Sequence, residues 1–236
     1  MEIAIMQPTY LPWLGYFELI DHCDLFVFLD DVQFVKKSWQ QRNKIRTFEG
    51  ELLLTVPVFI KGKRGQLIKD VRINNESAWR NKHFMSIENN YQKAPFYKEY
   101  IELIRGIYSL EYTYLIDLNM KLIEFIKEQL GIKTKIILSS QLNVDGNKTE
   151  KIINICKICK ADTIYDAKGA MDILDLNLFA RNNIEIIFQE YRHPVYDQIY
   201  TGFVSHVSAL DLLMNAGKKS LEVLRSGVLT NYKSCV

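Results

Sequence analysis

The chain has 236 residues, of which 48% are apolar and 25% charged, a balance typical of a globular protein. Its net charge of +2 gives no reason to expect a nucleic-acid-binding surface or an acidic membrane as a partner. No signal peptide is expected, because the first apolar stretch (3–6) is short, and no apolar run approaches the roughly 20 residues of a membrane span. The four cysteines, Cys23, Cys156, Cys159 and Cys235, lack disulfide-framework spacing, so we expect a cytoplasmic protein.

The N-terminal segment predicts a βαβ unit with parallel pairing. The runs "EIAIM" (2–6) and "LFVFLDD" (25–31) are typical of buried strands, and "GYFELIDHCD" (15–24) between them has helical periodicity. Farther on, two β-rich runs flank the turn "KGKRG", which predicts a hairpin or a pair of edge strands at about 51–74.

Three amphipathic segments at 76–131 predict a helical insertion, after which strands and helices alternate again. Strands are expected at 134–140, 162–167 and 184–191, and helices at 148–160, 174–183 and 207–217. This order predicts an α/β fold with a doubly wound, mostly parallel, Rossmann-like sheet. Its core would comprise 1–75 and 132–217, with a polar C-terminal tail at 218–236.

Cys156 and Cys159 form a C-x-x-C pair within the helix predicted at 148–160. They share a broad apolar face of that helix, and no second cysteine or histidine pair follows at zinc-site spacing. Core packing is therefore favoured over redox or metal chemistry.

Unusual side chains follow the predicted strands, at the sheet edge where such folds bind ligands. The loop "QPTYLPWLGYF" (7–17) offers Gln7, Tyr10, Trp13 and Tyr16. An amide that donates and accepts hydrogen bonds and aromatic rings with polar tips are groups that bind a sugar ring or a nucleobase. The alternative is an aromatic cluster that closes one end of the sheet.

Asp30 and Asp31 end the second strand, and basic residues that include Arg42 follow closely. Such a carboxylate pair binds a sugar hydroxyl, an amine or Mg²⁺, and the cations hold phosphate. The alternative is a cap on the next element beside a solvated basic face.

The run "DGNKTEKI" (145–152) imitates the end of a P-loop, but Asn147 separates the glycine from the lysine, so a Walker motif is rejected. Lys148 and Thr149 at a helix start can still hold an anion, or serve only as a surface lysine and a cap. The four histidines lack metal-ligand spacing. The sequence therefore assigns no metal-binding residues and leaves the cofactor unknown.

Taken in order, "MQPTYLPWLGYFELI", "DLFVFLDDVQF", "WQQRNKIRT", "GNKTEKIINICK", "ADTIYDAKGA" and "FVSHVSALDLLMNAG" resemble the WbqC-like proteins over nearly the whole chain. This resemblance implies a role in O-antigen or other surface-polysaccharide biosynthesis, beside enzymes that make amino sugars. It also brings Asn43, Asp166 and Lys168, which lie in the matching runs, into the candidate set of substrate contacts.

A more remote similarity is to nucleotidyltransferases and class I synthetases, which carry a His-x-Gly-His loop after the first strand. The corresponding residues here are Trp13, Leu14, Gly15 and Tyr16, so both histidines are absent. Their loss argues against nucleotidyl transfer by the usual route, because those histidines stabilise the transferred phosphate.

The leading hypothesis is an enzyme that transfers an acyl or aminoacyl group to the amine of a nucleotide-linked amino sugar. Asp30 or Asp31 would contact the sugar amine or accept its proton, and the other candidates would bind the substrate. An aminoacyl-tRNA donor stays open, as does the oligomeric state. The alternatives are a non-catalytic sugar-nucleotide-binding or scaffold protein and an ATP-dependent amino-acid ligase.

Overall fold

The computed structural model describes residues 1–229, and Cys235 lies outside them. Their strands are β1 (Glu2–Met6), β2 (Leu25–Phe28), β3 (Arg42–Thr47), β4 (Gly50–Thr55), β5 (Lys135–Leu138), β6 (Thr163–Asp166) and β7 (Glu185–Phe188). Their α-helices are α1 (Leu14–His22), α2 (Trp79–Tyr91), α3 (Tyr97–Ser109), α4 (Leu115–Leu130), α5 (Thr149–Cys159), α6 (Leu176–Arg181), α7 (Leu210–Ala216) and α8 (Ser220–Arg225).

Five strands form one parallel sheet in the order β5-β2-β1-β6-β7. Every ladder in it is parallel, as in the pairing of Ala4 with Phe26 and of Ile164 with Ile186. The five strands predicted for the sheet and its Rossmann-like character are confirmed. The chain first builds outward from β1 through β2 to β5, then crosses to the other side of β1 to add β6 and β7, and this crossing defines a topological switch point between β1 and β6.

Side chains alternate between two apolar layers because successive strand residues point to opposite faces. Ala4, Phe26 and Tyr165 belong to a large buried cluster with α1, α4 and α7. Ile3, Val27 and Ile164 belong to a second cluster with side chains of α5 and α6. The sheet is therefore covered by helices on both faces.

The hairpin predicted at about 51–74 is corrected by the structure. The first β-rich run does form β4, but β4 pairs antiparallel with β3, whose charged sequence "RNKIRT" hid its strand character. The second run contributes a short 3₁₀ turn, Ile68–Asp70, and isolated bridges such as Val58 with Ile73. The turn "KGKRG" thus connects irregular segments rather than two paired strands.

Helices α2, α3 and α4 lie within the predicted insertion, and Gly131 ends α4 in the left-handed conformation with φ 80°. The tail predicted at 218–236 is partly helical instead, because α8 packs its buried Leu224 into the main core beside α1. Among residues 1–229, no helix is both long and apolar enough to cross a membrane.

Cys156 is fully buried in the second apolar cluster, and Cys159 packs at its margin. Burial raises the pKa of the Cys156 thiol to about 12, so the reactive thiolate is scarce near neutral pH. These positions support the core-packing interpretation of the C-x-x-C pair.

Candidate functional site

The two strands at the switch point, β1 and β6, separate towards their carboxyl ends. The β1–β6 ladder comprises two residue pairs, Glu2 with Thr163 and Ile3 with Ile164, whereas the β1–β2, β2–β5 and β6–β7 ladders each comprise four. Open α/β sheets bind ligands in the crevice outside the carboxyl ends at such a point. Gln7, which follows β1, and Asp166, which ends β6, border this crevice.

To one side of the crevice, the loops after β2 and β5 form a carboxylate–lysine cluster of Asp30, Asp31, Ser139, Ser140 and Lys151. Asp30 is 1% exposed, and its Oδ1 and Oδ2 accept hydrogen bonds from the Ser140 backbone and hydroxyl at 2.9 and 2.7 Å. The Ser139 hydroxyl lies 2.5 Å from Asp31 Oδ1 and 3.1 Å from Asp30 Oδ1. Both oxygens of Asp30 are therefore occupied within the protein.

Lys151 completes this cluster from the first turn of α5. Its Nζ donates to Asp31 Oδ2 at 2.8 Å and to the Val144 carbonyl at 2.9 Å. Burial alone would raise the pKa of Asp31, but the hydrogen bonds from Lys151 and Ser139 outweigh it and lower that pKa. Asp31 is thus held as a carboxylate and is a weak proton acceptor.

Lys148 and Thr149, which the sequence analysis selected from the "GNKTEKI" run, are not part of the carboxylate–lysine cluster. Lys148 is exposed just before α5, with φ 49°, whereas Lys151 is buried and pairs with Asp31. Thr149 is buried and its hydroxyl oxygen accepts a hydrogen bond from the Asp175 backbone at 3.1 Å. The structure therefore joins Lys151, which sequence reasoning missed, to the aspartates in place of Lys148.

Gln7 is half-buried at the mouth of the crevice, and its side chain is held by Gln40, which precedes β3. Gln40 Nε2 donates to Gln7 Oε1 at 2.7 Å, and among residues 1–229 the Gln7 amide nitrogen donates no hydrogen bond. Asn43 is buried in β3 and donates to the Leu11 carbonyl at 2.9 Å, which holds the loop after β1 in place. Arg42, at the start of β3, is half-exposed. Asn43 therefore positions the loop rather than a substrate.

Tyr10 and Tyr16 lie in the core. Tyr10 has no exposed surface, and its hydroxyl hydrogen-bonds to Tyr108 and to His83 Nδ1, the latter at 2.8 Å. Tyr16 is 3% exposed, and its ring stacks with Phe28 at 6.3 Å. Neither ring has a free face for a sugar or base, so the expected stacking role does not fit these two residues.

Trp13 is half-buried and belongs to an aromatic cluster with Tyr191, His193 and His206. The two histidine rings stack on the indole with centroid distances of 6.1 and 5.0 Å. His193 lies after β7; its Nε2 is buried and has no hydrogen-bond partner among residues 1–229, and burial lowers the pKa of His193 to about 4. The indole of Trp13 also covers Gly15, where an added Cβ would lie 2.3 Å from Cη2.

Beneath Trp13, a buried polar pair that sequence reasoning missed anchors α1 to the sheet. Gln189 follows β7 and donates to the Gly15 carbonyl at 2.7 Å and also to Glu18. Glu18 further accepts a hydrogen bond from Tyr165 at 3.1 Å. A glutamate at an otherwise apolar position of "GYFELI" was the available signal.

Asp166 differs from the other carboxylates at this edge. It is 4% exposed, and among the described residues its side chain accepts one hydrogen bond, from the Ala167 backbone at 2.7 Å. Burial raises its pKa to about 6, the backbone hydrogen bond only partly opposing the effect. Lys168 turns outward to pair with Glu190 at 2.7 Å and does not compensate Asp166. A buried carboxyl group with a pKa near neutrality is a typical proton-transfer residue.

The candidate residues therefore divide into three parts along the sheet edge. The carboxylate–lysine cluster lies at β2 and β5, Gln7 and Asp166 lie at the switch point, and the aromatic cluster lies towards β7. With neighbouring strands about 4.8 Å apart, the edge from β5 to β7 spans roughly 19 Å. This length suits an elongated ligand.

The chain belongs to the WbqC-like protein family, whose model matches residues 7–223. It is 34% identical over 226 residues to a protein of Mycobacterium tuberculosis (strain ATCC 25618 / H37Rv) named Uncharacterized protein Rv1507c, with 95% of this chain and 97% of that protein covered. No solved structure matches the chain at a significant level. The family resemblance found in the sequence is confirmed.

Proposed function

We propose that this protein is a cytoplasmic enzyme of bacterial surface-polysaccharide biosynthesis that transfers an acyl or aminoacyl group to the amine of a nucleotide-linked amino sugar. The observation that carries the proposal is Asp166, a buried carboxyl group with a pKa near 6 at the switch point. The family membership and a sheet order suited to nucleotide binding support it further.

The reaction needs a base close to the sugar amine. The neutral nitrogen attacks the carbonyl carbon of the activated donor, a C–N bond forms, and the bond to the leaving group breaks. The proton lost by nitrogen passes through Asp166 to the leaving group, so the carboxylate is regenerated. Asp166 carries this role in preference to Asp30 or Asp31, because Asp30 is saturated with hydrogen bonds and Asp31 is paired with Lys151.

The remaining groups at the edge would bind the substrate. Gln7 follows β1 and Asp166 ends β6, the two strands at the switch point, and the Gln7 amide nitrogen is suited to a sugar hydroxyl or a carbonyl oxygen. The half-buried Trp13 would contact an apolar sugar or base face, and the half-exposed Arg42 would offer a cation to the diphosphate.

The test is a mass-spectrometric product search. The protein is incubated with a panel of UDP- and dTDP-linked amino sugars and with acyl-coenzyme A, aminoacyl-tRNA, or ATP plus amino acids as donors. We expect a sugar nucleotide that is heavier by one acyl or aminoacyl group, and we expect Asp166→Asn to lose at least 99% of the rate. Asp172→Asn, an exposed neighbour in the same loop, is the matched control and should retain full activity.

Ligand-induced shifts of the melting temperature separate this proposal from its alternatives. A hundredfold excess of a bound ligand over its Kd stabilises by about 2.7 kcal/mol, so binding is visible even without turnover. Stabilisation by sugar nucleotides without product from any donor would indicate a binding or scaffold protein. Product that forms only with ATP and a free amino acid would indicate a ligase.

A further inference from the structure

Two basic loops that are distant in sequence lie side by side at the carboxyl edge of the sheet. The Phe34 backbone donates to the Gln66 carbonyl at 2.8 Å, and the Ile68 backbone donates to the Val32 carbonyl at 2.9 Å. An antiparallel bridge between Gln33 and Leu67 lies between these bonds. The run "VKKSW" is thereby brought against the turn "KGKRG".

This juxtaposition creates a surface that we call the basic loop surface. Its cations are Lys36, Lys37, Lys61, Lys63 and Arg64. All five are exposed, and within residues 1–229 none of them takes part in an ion pair. Residues 32–40 and 56–69 contain no aspartate or glutamate, so no acid on these loops offsets the charge.

An exposed aromatic ring accompanies the cations. Trp39 is 53% exposed, although its backbone is anchored by the Tyr10 amide, which donates to the Trp39 carbonyl at 2.9 Å. The neighbouring Gln40 is the residue that contacts Gln7 at the crevice mouth. The basic loop surface is therefore continuous with the candidate site.

We propose that the basic loop surface binds RNA, and that the activated donor of the proposed reaction is an aminoacyl ester carried on an RNA. Unpaired cations spread over two surface turns suit an extended polyanion, whereas a single phosphate needs converging donors. A half-exposed tryptophan beside such cations is the usual platform for an unpaired base, and it favours RNA over an acidic protein partner. The inference about the donor rests on the proposed function; RNA binding itself does not.

The chemistry balances with such a donor. The sugar amine attacks the ester carbonyl carbon, the C–N bond forms, and the C–O bond to the terminal ribose breaks. The proton released by nitrogen passes to the ribose oxygen, which leaves a free hydroxyl on the RNA. No further co-reactant is required.

The experiment measures fluorescence anisotropy of fluorescein-labelled, deacylated, unfractionated tRNA titrated with the full chain. We expect binding that weakens as NaCl is raised from 50 to 200 mM. Lys36→Glu/Lys37→Glu and Lys61→Glu/Lys63→Glu should each raise Kd at least tenfold, and Trp39→Ala should raise it about fivefold. The matched control is Lys133→Glu/Lys135→Glu, with the same charge change at the amino end of β5, and it should stay within twofold of the wild type.

Three results would overturn the inference. The first is no anisotropy change at 100-fold excess of protein in 50 mM NaCl, and the second is an equal loss of tRNA affinity in the variants of the basic loop surface and in the control variant. The third is competition by polyglutamate that is as effective as competition by unlabelled tRNA. The product search separates this failure from that of the proposed function. Product from an acyl thioester without tRNA binding would contradict the RNA-linked donor alone. Specific tRNA binding with no product from any amino-sugar nucleotide would contradict the proposed function alone.

Discussion

The ammonium nitrogen of Lys151 lies 2.8 Å from Oδ2 of Asp31 and so joins the first turn of α5 to the loop after β2. The two side chains are 10% and 13% exposed, and the pair is therefore largely shielded from water. Lys151→Met leaves the carboxylate without its cation, and we expect the free energy of unfolding at pH 7 to fall by about 2 kcal/mol. Urea denaturation measures this loss, and Lys148→Met is the exposed control, expected to change it by less than about 0.5 kcal/mol.

At acid pH, the wild type and Lys151→Met should no longer differ in their free energy of unfolding. The folded-state pKa of Asp31 is lowered, so its contribution is complete above the pKa of an unfolded aspartate, about 3.9, and is lost as pH falls through the lower folded value. Denaturation curves at pH 7, 5, 4, 3 and 2 follow this convergence. A difference that stays constant down to pH 2 would show that Lys151 stabilises through packing alone.

Asp166 should destabilise the folded protein at alkaline pH. Its folded pKa of about 6 exceeds the unfolded value, so its contribution to stability is complete below about pH 4 and is lost as pH rises through 6. Asp166→Asn should therefore be more stable than the wild type by roughly 3 kcal/mol at pH 8. Thermal unfolding from pH 4 to 8 tests this, with Asp172→Asn expected to track the wild type.

The Asp166 carboxyl group should also determine how the activity depends on pH. If Asp166 accepts the amine proton, kcat/KM of the wild type rises as the pH passes about 6, where Asp166 loses its proton. The steady-state rate from pH 5 to 8 measures this rise. A flat profile over that range would exclude Asp166 as the base.

Gly15→Ala should displace the indole of Trp13. The added methyl carbon would lie 2.3 Å from Cη2 and 2.4 Å from Cζ2, distances that no packed pair adopts. We expect a loss of about 2 kcal/mol and a shifted tryptophan emission spectrum. Gly106→Ala in α3 meets nothing within 4 Å and should instead stabilise by about 0.5–1 kcal/mol. Equal effects of the two substitutions would contradict the close packing of Trp13 on α1.

Tyr10→Phe distinguishes a core residue from a ligand contact. It removes a hydroxyl that hydrogen-bonds to His83 and Tyr108 away from solvent, and we expect a loss of about 1–2 kcal/mol in stability. The thermal shift caused by a sugar nucleotide should be unchanged. Tyr114→Phe, at an exposed position, is the control. Weakened ligand binding at unchanged stability would restore the role first expected of Tyr10.

The strands and the meeting of their loops at one edge were predictable, because parallel strands bring their carboxyl ends to the same side of a sheet. Which side chains face the crevice was not. Lys148 and Lys151 lie three residues apart; Lys148 precedes α5 and is exposed, whereas Lys151 lies in the first turn of α5 and reaches Asp31. Aromatic residues with polar tips suit a core and a binding wall equally, so the rings of Tyr10 and Trp13 could not be told apart.

The overall charge of +2 was similarly uninformative about the basic loops. It averages 30 cations and 28 acids over the whole chain, while the loops at 32–40 and 56–69 carry their cations without an acid. The two loops form one surface because Val32 and Phe34 hydrogen-bond to the loop at 56–69. No periodic pattern in the sequence predicts this pairing.

The packing of α8 on α1 affects how the chain is made. Arg225 pairs with Asp21 at 2.7 Å, and Leu224 fills the core beside a helix that precedes it by some two hundred residues. At ribosomal speeds of about 5–20 residues per second, α1 leaves the exit tunnel roughly 10–40 seconds before its partner exists. During synthesis the apolar surface that α8 covers stays exposed to water for this time, and a premature stop codon upstream of residue 220 would leave it exposed permanently.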